Sequence, residues 1–192
     1  MRRGERASGR ANADKVNMPI DFQYDCSKAT QAILWLLSQH GGVIYKLSLV
    51  KLIFLADRAH LAKYGRPIVG GQYVAMKHGP VGSELLDYLS RAVEGSGLPF
   101  QVVGIWVRAS QPASEEELSE SDIRVLHEID AQYGNCDRFA LRNLTHGKAW
   151  QKNYPNPNEN TSRPLPYEDF FLDLDDAEML DIIREHQEAM GF

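Results

Sequence analysis

The sequence predicts a mainly α-helical domain: a compact set of helices around one buried central helix, with a small antiparallel β-hairpin element. Three observations predict it. Apolar residues recur at helical spacing in several separate segments. One of these, Lys46–Tyr64, is apolar around most of its circumference, as a helix buried on several sides must be. Alternating β-branched and aromatic residues are confined to two short runs, near 68–77 and 100–107. A chain of 192 residues with 43% hydrophobic content suits one domain with one core.

The first 17 residues are polar and arginine-containing, without apolar periodicity, and read as a disordered tail. Met18, followed by Pro19, reads as the start of the ordered chain, so that 18–192 form the domain and 1–17 an extension foreign to it. The first helix runs from about Ser27 to Gln39, capped by Asp25 or Ser27 and ended by Gly41 or Gly42. The second spans about Lys46 to Tyr64. Leu49, Leu52, Ile53, Ala56 and His60 lie on one face, and Gly65-Arg66-Pro67 stops it. Ile68–Lys77 reads as a hairpin turning at Gly70-Gly71, and His78-Gly79-Pro80-Val81 opens a third helix with Pro80 in its first turn.

Phe100–Val107 is a short strand or hairpin. Ser119-Glu120-Ser121-Asp122 starts the next helix as a capping-box variant, and Gly134 ends it. A short helix follows at about Asp137–Leu144. Asn153–Pro166, with four prolines, is irregular, Tyr167–Phe171 is a single turn, and Asp175 or Asp176 caps a last helix reaching about Met190. Leu180, Ile183 and Gln187 form the inward stripe of that helix.

The net charge of −5 is unevenly distributed: residues 1–17 carry +3 and the remainder −8. After Pro164 nine carboxylates face one arginine, Arg184. An acidic surface disfavours nucleic acid and attracts basic partners, although a solvated helix face accounts for the charge as well. No apolar run reaches the ~18 residues a membrane span needs, and no secretory leader precedes the domain. Cys26 and Cys136, the only cysteines, form no CxxC, which suits a reducing, cytoplasmic setting.

No metal-ligand spacing, nucleophile elbow or phosphate loop is present, so the sequence implies no metal, no cofactor and no catalytic residue. Asp57, His60 and Tyr64 can share one helical edge. A carboxylate beside an imidazole could make a general base, but no nucleophile or oxyanion donor accompanies the trio, and a hydrogen-bonded patch fixing the neighbouring elements explains it better. His78-Gly79-Pro80 is either a rigid turn or an exposed recognition loop. His146 and Trp150 lock a short helix to the core.

The run Lys46-Leu47…Leu49-Val50-Lys51-Leu52-Ile53-Phe54-Leu55-Ala56-Asp57-Arg58…His60-Leu61-Ala62-Lys63-Tyr64-Gly65-Arg66-Pro67 closely resembles the Panacea domain, the SocA-like antitoxin domain. Tyr73, Ala75, Gly79-Pro80-Val81 and Glu84-Leu85 match its next motif, and Leu144-Thr145-His146…Ala149-Trp150 a third. Val50 stands where glutamine is usual, and His78 where an aromatic is common. The resemblance implies a bacterial or prophage antitoxin with a role in phage defence. It would be encoded beside its toxin and neutralise it by direct protein–protein binding. Delivery of the toxin to a cellular protease is the alternative, and enzymatic modification of the toxin or a nucleotide a further one. No helix-turn-helix or zinc module is appended, so the resemblance brings no DNA-binding role. The expected toxin-contact surface is Asp57, Arg58, His60 and Tyr64, with Tyr73, Lys77 and His78 of the adjoining hairpin, because aromatic and arginine side chains dominate binding hot spots.

Overall fold

The structure, a computed structural model, describes residues 19–114, 116–156, 158–174 and 177–190. The expectations for the tail, for Met18 and for a cap at Asp175 or Asp176 lie outside these residues. Among the described residues eight helices and six short strands alternate. They are α1 (Cys26–Gln39), β1 (Val43–Tyr45), α2 (Lys46–Tyr64), β2 (Tyr73–Met76), β3 (Gly79–Gly82) and α3 (Ser83–Arg91). Next come β4 (Phe100–Val103), β5 (Trp106–Ala109), α4 (Glu120–Tyr133) and α5 (Arg138–Leu144). The last are α6 (Lys148–Asn153), β6 (Ser162–Pro164), α7 (Tyr167–Phe170) and α8 (Ala177–Met190). The strands form two antiparallel three-stranded sheets, ordered β1-β5-β4 and β3-β2-β6.

α1 begins where Asp25 accepts a hydrogen bond from the Lys28 amide, satisfying one orphan donor of the first turn. α2 occupies the predicted residues and stops at Gly65, which takes φ +72° and bonds back to Leu61. Twelve of the nineteen α2 residues are buried. The helix packs against α1, α4, α5, β1 and β3. Its Leu49, Leu52, Ile53, Phe54 and Leu55 are at most 1% exposed; each large apolar side chain removed from water contributes roughly 1.5–3 kcal/mol. The predicted capping box of α4 forms between Ser119 and Asp122. On α8, Ile183 is buried and Leu180 packs against the core, while Gln187 reaches the Asp21 carbonyl.

Three expectations are corrected. The hairpin turns at Lys77-His78, not at Gly70-Gly71, and its strands are β2 and β3 with Met76 opposite Gly79. Neither turn residue has a positive φ. Gly79, at φ +94°, supplies the left-handed step instead, as glycine does after a type I turn. Gly79-Pro80-Val81 therefore belongs to a strand, and α3 starts only at Ser83. Pro80 is tolerated because β3 is an edge strand. Finally, the proline-rich segment contains β6, which pairs Pro164, Arg163 and Ser162 with Val74, Ala75 and Met76.

Candidate functional site: a clamped β-hairpin

The first half of the hairpin support is Asp57. One face of α2 points this carboxylate at the chain entering β2, where it is fully buried. Oδ1 accepts from the Ile68 and Val69 amides, both at 2.9 Å. Oδ2 accepts from the Gly70 amide at 3.0 Å and the Tyr73 hydroxyl at 2.8 Å. Gly70 is required here: its φ is +73°, and a Cβ would meet the Gln23 carbonyl oxygen. Burial pushes the Asp57 carboxyl up from its ordinary value, and the four hydrogen bonds oppose that shift. The Tyr73 ring completes an aromatic cluster with Phe54, Tyr167 and Phe170.

The second half holds the turn itself. Lys51, one helical turn into α2, is 1% exposed and donates to the Pro80 carbonyl at 2.7 Å. On the opposite strand Trp150 Nε1 donates to the Met76 carbonyl at 2.8 Å. Both shoulders of the turn are thus tied by side chains from outside the hairpin. The His146 ring lies parallel to Trp150, with centroids 3.8 Å apart and planes 4° apart. A Cβ on Gly79 would stand 2.9 Å from both Lys51 Nζ and Thr145 Oγ1, and its φ of +94° is one that other residues rarely adopt. What the turn presents to solvent is Lys77 and His78.

The electrostatics beneath the turn follow from burial. Burial lowers the Lys51 ammonium from 10.5 to about 7. Burial, reinforced by the charges of Lys51, Arg142 and His78, lowers His146 from 6.5 to about 4, so its imidazole is neutral at pH 7. Its buried Nε2 has no hydrogen-bond partner among the described residues. A lysine whose folded pKa is depressed contributes stability above its unfolded value and loses it as the pH falls towards the folded value. Stability should therefore climb from pH 7 to about pH 9 in the wild type relative to Lys51→Met, by up to about 1.4 kcal/mol per pH unit. Urea titrations at several pH values check this; parallel profiles for the two proteins would contradict it.

The seven expected contact residues do not form one patch. Asp57, His60 and Tyr73 are buried, which corrects their assignment to a surface. Nor do Asp57 and His60 pair. His60 Nδ1 donates to the Arg66 carbonyl at 2.7 Å, while Nε2 faces Ser121 Oγ at 3.0 Å and Asp122 Oδ1 at 3.1 Å. Arg58 is half-buried over the Phe54 ring and paired with Asp173 at 3.4 Å. Tyr64 is exposed, but it lies thirteen residues beyond Lys51 on α2, roughly 20 Å along the helix axis. Lys77 and His78 remain as neighbours in the open.

Spacing alone did not single out Lys51, whose signal is a lone cation inside the otherwise apolar Leu49–Ala56 run. Trp150, expected to lock a short helix to the core, is buried on α6 against Ala75 and Tyr154, and its indole N–H also holds the hairpin.

The model for the family described as Antitoxin SocA-like, Panacea domain, matches residues 49–151. The chain belongs to this family. No curated protein and no solved structure matches it. Lys51, Asp57, Tyr73, Gly79, Pro80, His146 and Trp150 all lie within the matched Panacea segment. Three motifs that are far apart in sequence therefore meet at one hairpin. Membership points to an antitoxin role and to a toxin as the general class of partner. No described helix is long and apolar enough to cross a membrane.

Proposed function

We propose that this protein is an antitoxin that neutralises a toxin by direct binding, with the β2–β3 turn at the centre of the contact. The observation that supports this reading is the construction of the turn. Met76 and Pro80 are held from two sides, and Lys77 and His78 project from between them. A rigid scaffold carrying an exposed polar tip is the arrangement that recognition loops share. Little ordering entropy is then lost on association.

The partner is a toxin protein encoded by the adjacent gene. The protein acts by occupying the toxin rather than by chemistry on it. The first test is genetic: the neighbouring gene should be toxic alone and tolerated when this chain is co-expressed. The tip is tested by Lys77→Glu combined with His78→Glu. Both residues are exposed, so the thermal midpoint should stay within about 2 °C of wild type. Binding should weaken by at least about tenfold, as expected when the charge at an interface centre is reversed. Full protection by this variant would remove the tip from the contact.

A further inference from the structure

The outward face of the β1-β5-β4 sheet carries a second surface. The register sets Tyr45 opposite Trp106 and Val43 opposite Arg108. Because successive side chains alternate, Ile44, Val107 and Phe100 face the core, where they are 6%, 0% and 0% exposed. Tyr45, Trp106, Arg108 and Val103 therefore share the other face. The Tyr45 and Trp106 rings stack with centroids 3.8 Å apart.

Arg138, the first residue of α5, lies over the Tyr45 ring at 4.5 Å and the Phe139 ring at 4.7 Å. Between the sheet face and α5 is a cleft of about 410 Å³. Among the described residues the Arg138 guanidinium has ring contacts but no ion pair and no hydrogen bond. Arg108 and Arg142 likewise have no carboxylate partner among the described residues. The cleft's own carboxylate, Asp137, caps α5 through the Phe139 and Ala140 amides. His40, also lining the cleft, is engaged with Asp130 at 2.8 Å.

We propose that this cleft is a docking site for an acidic protein segment with flanking apolar residues, one of whose carboxylates pairs with Arg138. Charge complementarity carries the choice of occupant. The chain bears a net −5, yet Arg138 lines this cleft, and Arg108 shares its sheet face, without a carboxylate partner among the described residues. The guanidinium lies over two aromatic rings, and its planar fork of donors suits two-point pairing with a carboxylate. A nucleic acid fits less well. The acidic chain repels a polyanion, and Val103, Ile105 and Phe139, each at least half exposed, call for an apolar counterpart. The surface is distinct from the Lys77–His78 tip, and its failure would leave the antitoxin reading standing.

The test titrates the full chain with three probes: a 12-residue peptide alternating Asp or Glu with Leu or Phe, the same peptide with Lys for every acid, and a 12-nucleotide oligouridylate. The readouts are the Trp106 indole N–H resonance and the Kd. The acidic peptide should shift Trp106, and the lysine peptide should not. Arg138→Gln should weaken the acidic peptide about tenfold at an unchanged thermal midpoint, with Arg138→Lys in between. An unmoved Trp106 resonance, equal binding of the two peptides, indifference to Arg138→Gln, or preference for the oligonucleotide would each overturn the proposal.

Discussion

Asp57→Ala is expected to cost at least about 4 kcal/mol, which for a chain of this size lowers the thermal midpoint by roughly 8–16 °C. The cause is the loss of one acceptor group that serves four donors. The amides of Ile68, Val69 and Gly70 and the hydroxyl of Tyr73 would be left in a site closed to solvent. Each buried donor without a partner costs about 1–3 kcal/mol. Water entering the space of the missing carboxylate recovers part of that sum, which is why the lower end is the expectation. Asp57→Asn should be milder, because one oxygen remains to accept from Ile68 and Val69. Its amide would still face the Gly70 amide, donor against donor. Circular dichroism melts of the three proteins check the order wild type, Asn, Ala. A midpoint for Asp57→Ala within about 3 °C of wild type would contradict it.

Asp122→Ala should cost about 3–5 kcal/mol for a different reason. Asp122 is fully buried and joins three helices, α1, α2 and α4, and the segment after α2. It accepts from Lys28 of α1 at 2.7 Å and from Arg66, after α2, at 3.0 Å. It faces His60 of α2 at 3.1 Å, and it closes the capping box of α4 through the Ser119 amide at 3.0 Å. Removing the carboxylate strands the cations around it and takes away the reciprocal half of the capping box, leaving the Ser119 amide without its acceptor.

The pH dependence has a definite sign. Burial would raise the Asp122 carboxyl, but the hydrogen bonds from His60, Lys28 and Ser119 together outweigh it. They hold the group well below the usual carboxylate range. A depressed carboxylate contributes its stability above the unfolded value of 3.8 and loses it as the pH falls below that value. Acid unfolding of the wild type should therefore be steeper below about pH 4 than that of Asp122→Asn. Acid limbs of equal slope would contradict this account.

These two carboxylates also show what could be read in the chain. α2 was legible to the residue because an apolar run of that length has one solution, a helix, and Gly65 ends it. The Ser119–Asp122 cap was legible because its partners are three residues apart. The partners of Asp57 and His60 were not legible. Their i,i+3 spacing suggests a pair, yet Asp57 turns towards Ile68–Gly70 and His60 towards Arg66 and Asp122. Only tertiary packing decides between those directions.

The hairpin was misplaced for a related reason. Gly70-Gly71 has the composition of a tight turn, but Gly70 serves a close approach to Gln23 instead. The true turn takes its left-handed residue one step later, at Gly79. β6 left no trace in the pattern because its three residues are exposed and all three of their partners lie on β2, far away in the sequence. The family motifs, by contrast, were readable as strings. Their meeting at one turn required the fold.

That convergence separates two kinds of residue within the matched segment. Lys51, Asp57 and Trp150 hold the hairpin, so their loss should act through stability. Lys77 and His78 are held, so their loss should act through binding alone. The central claim is stoichiometric occupancy of a toxin through that tip, and the most direct measurement is a titration of purified toxin activity with purified antitoxin in the absence of any protease. The account predicts complete inhibition at one equivalent, and a curve displaced by at least about tenfold for Lys77→Glu with His78→Glu at an unchanged thermal midpoint. Inhibition at a small fraction of an equivalent, inhibition that appears only when a protease is added, or an undisplaced curve for the tip variant would contradict it.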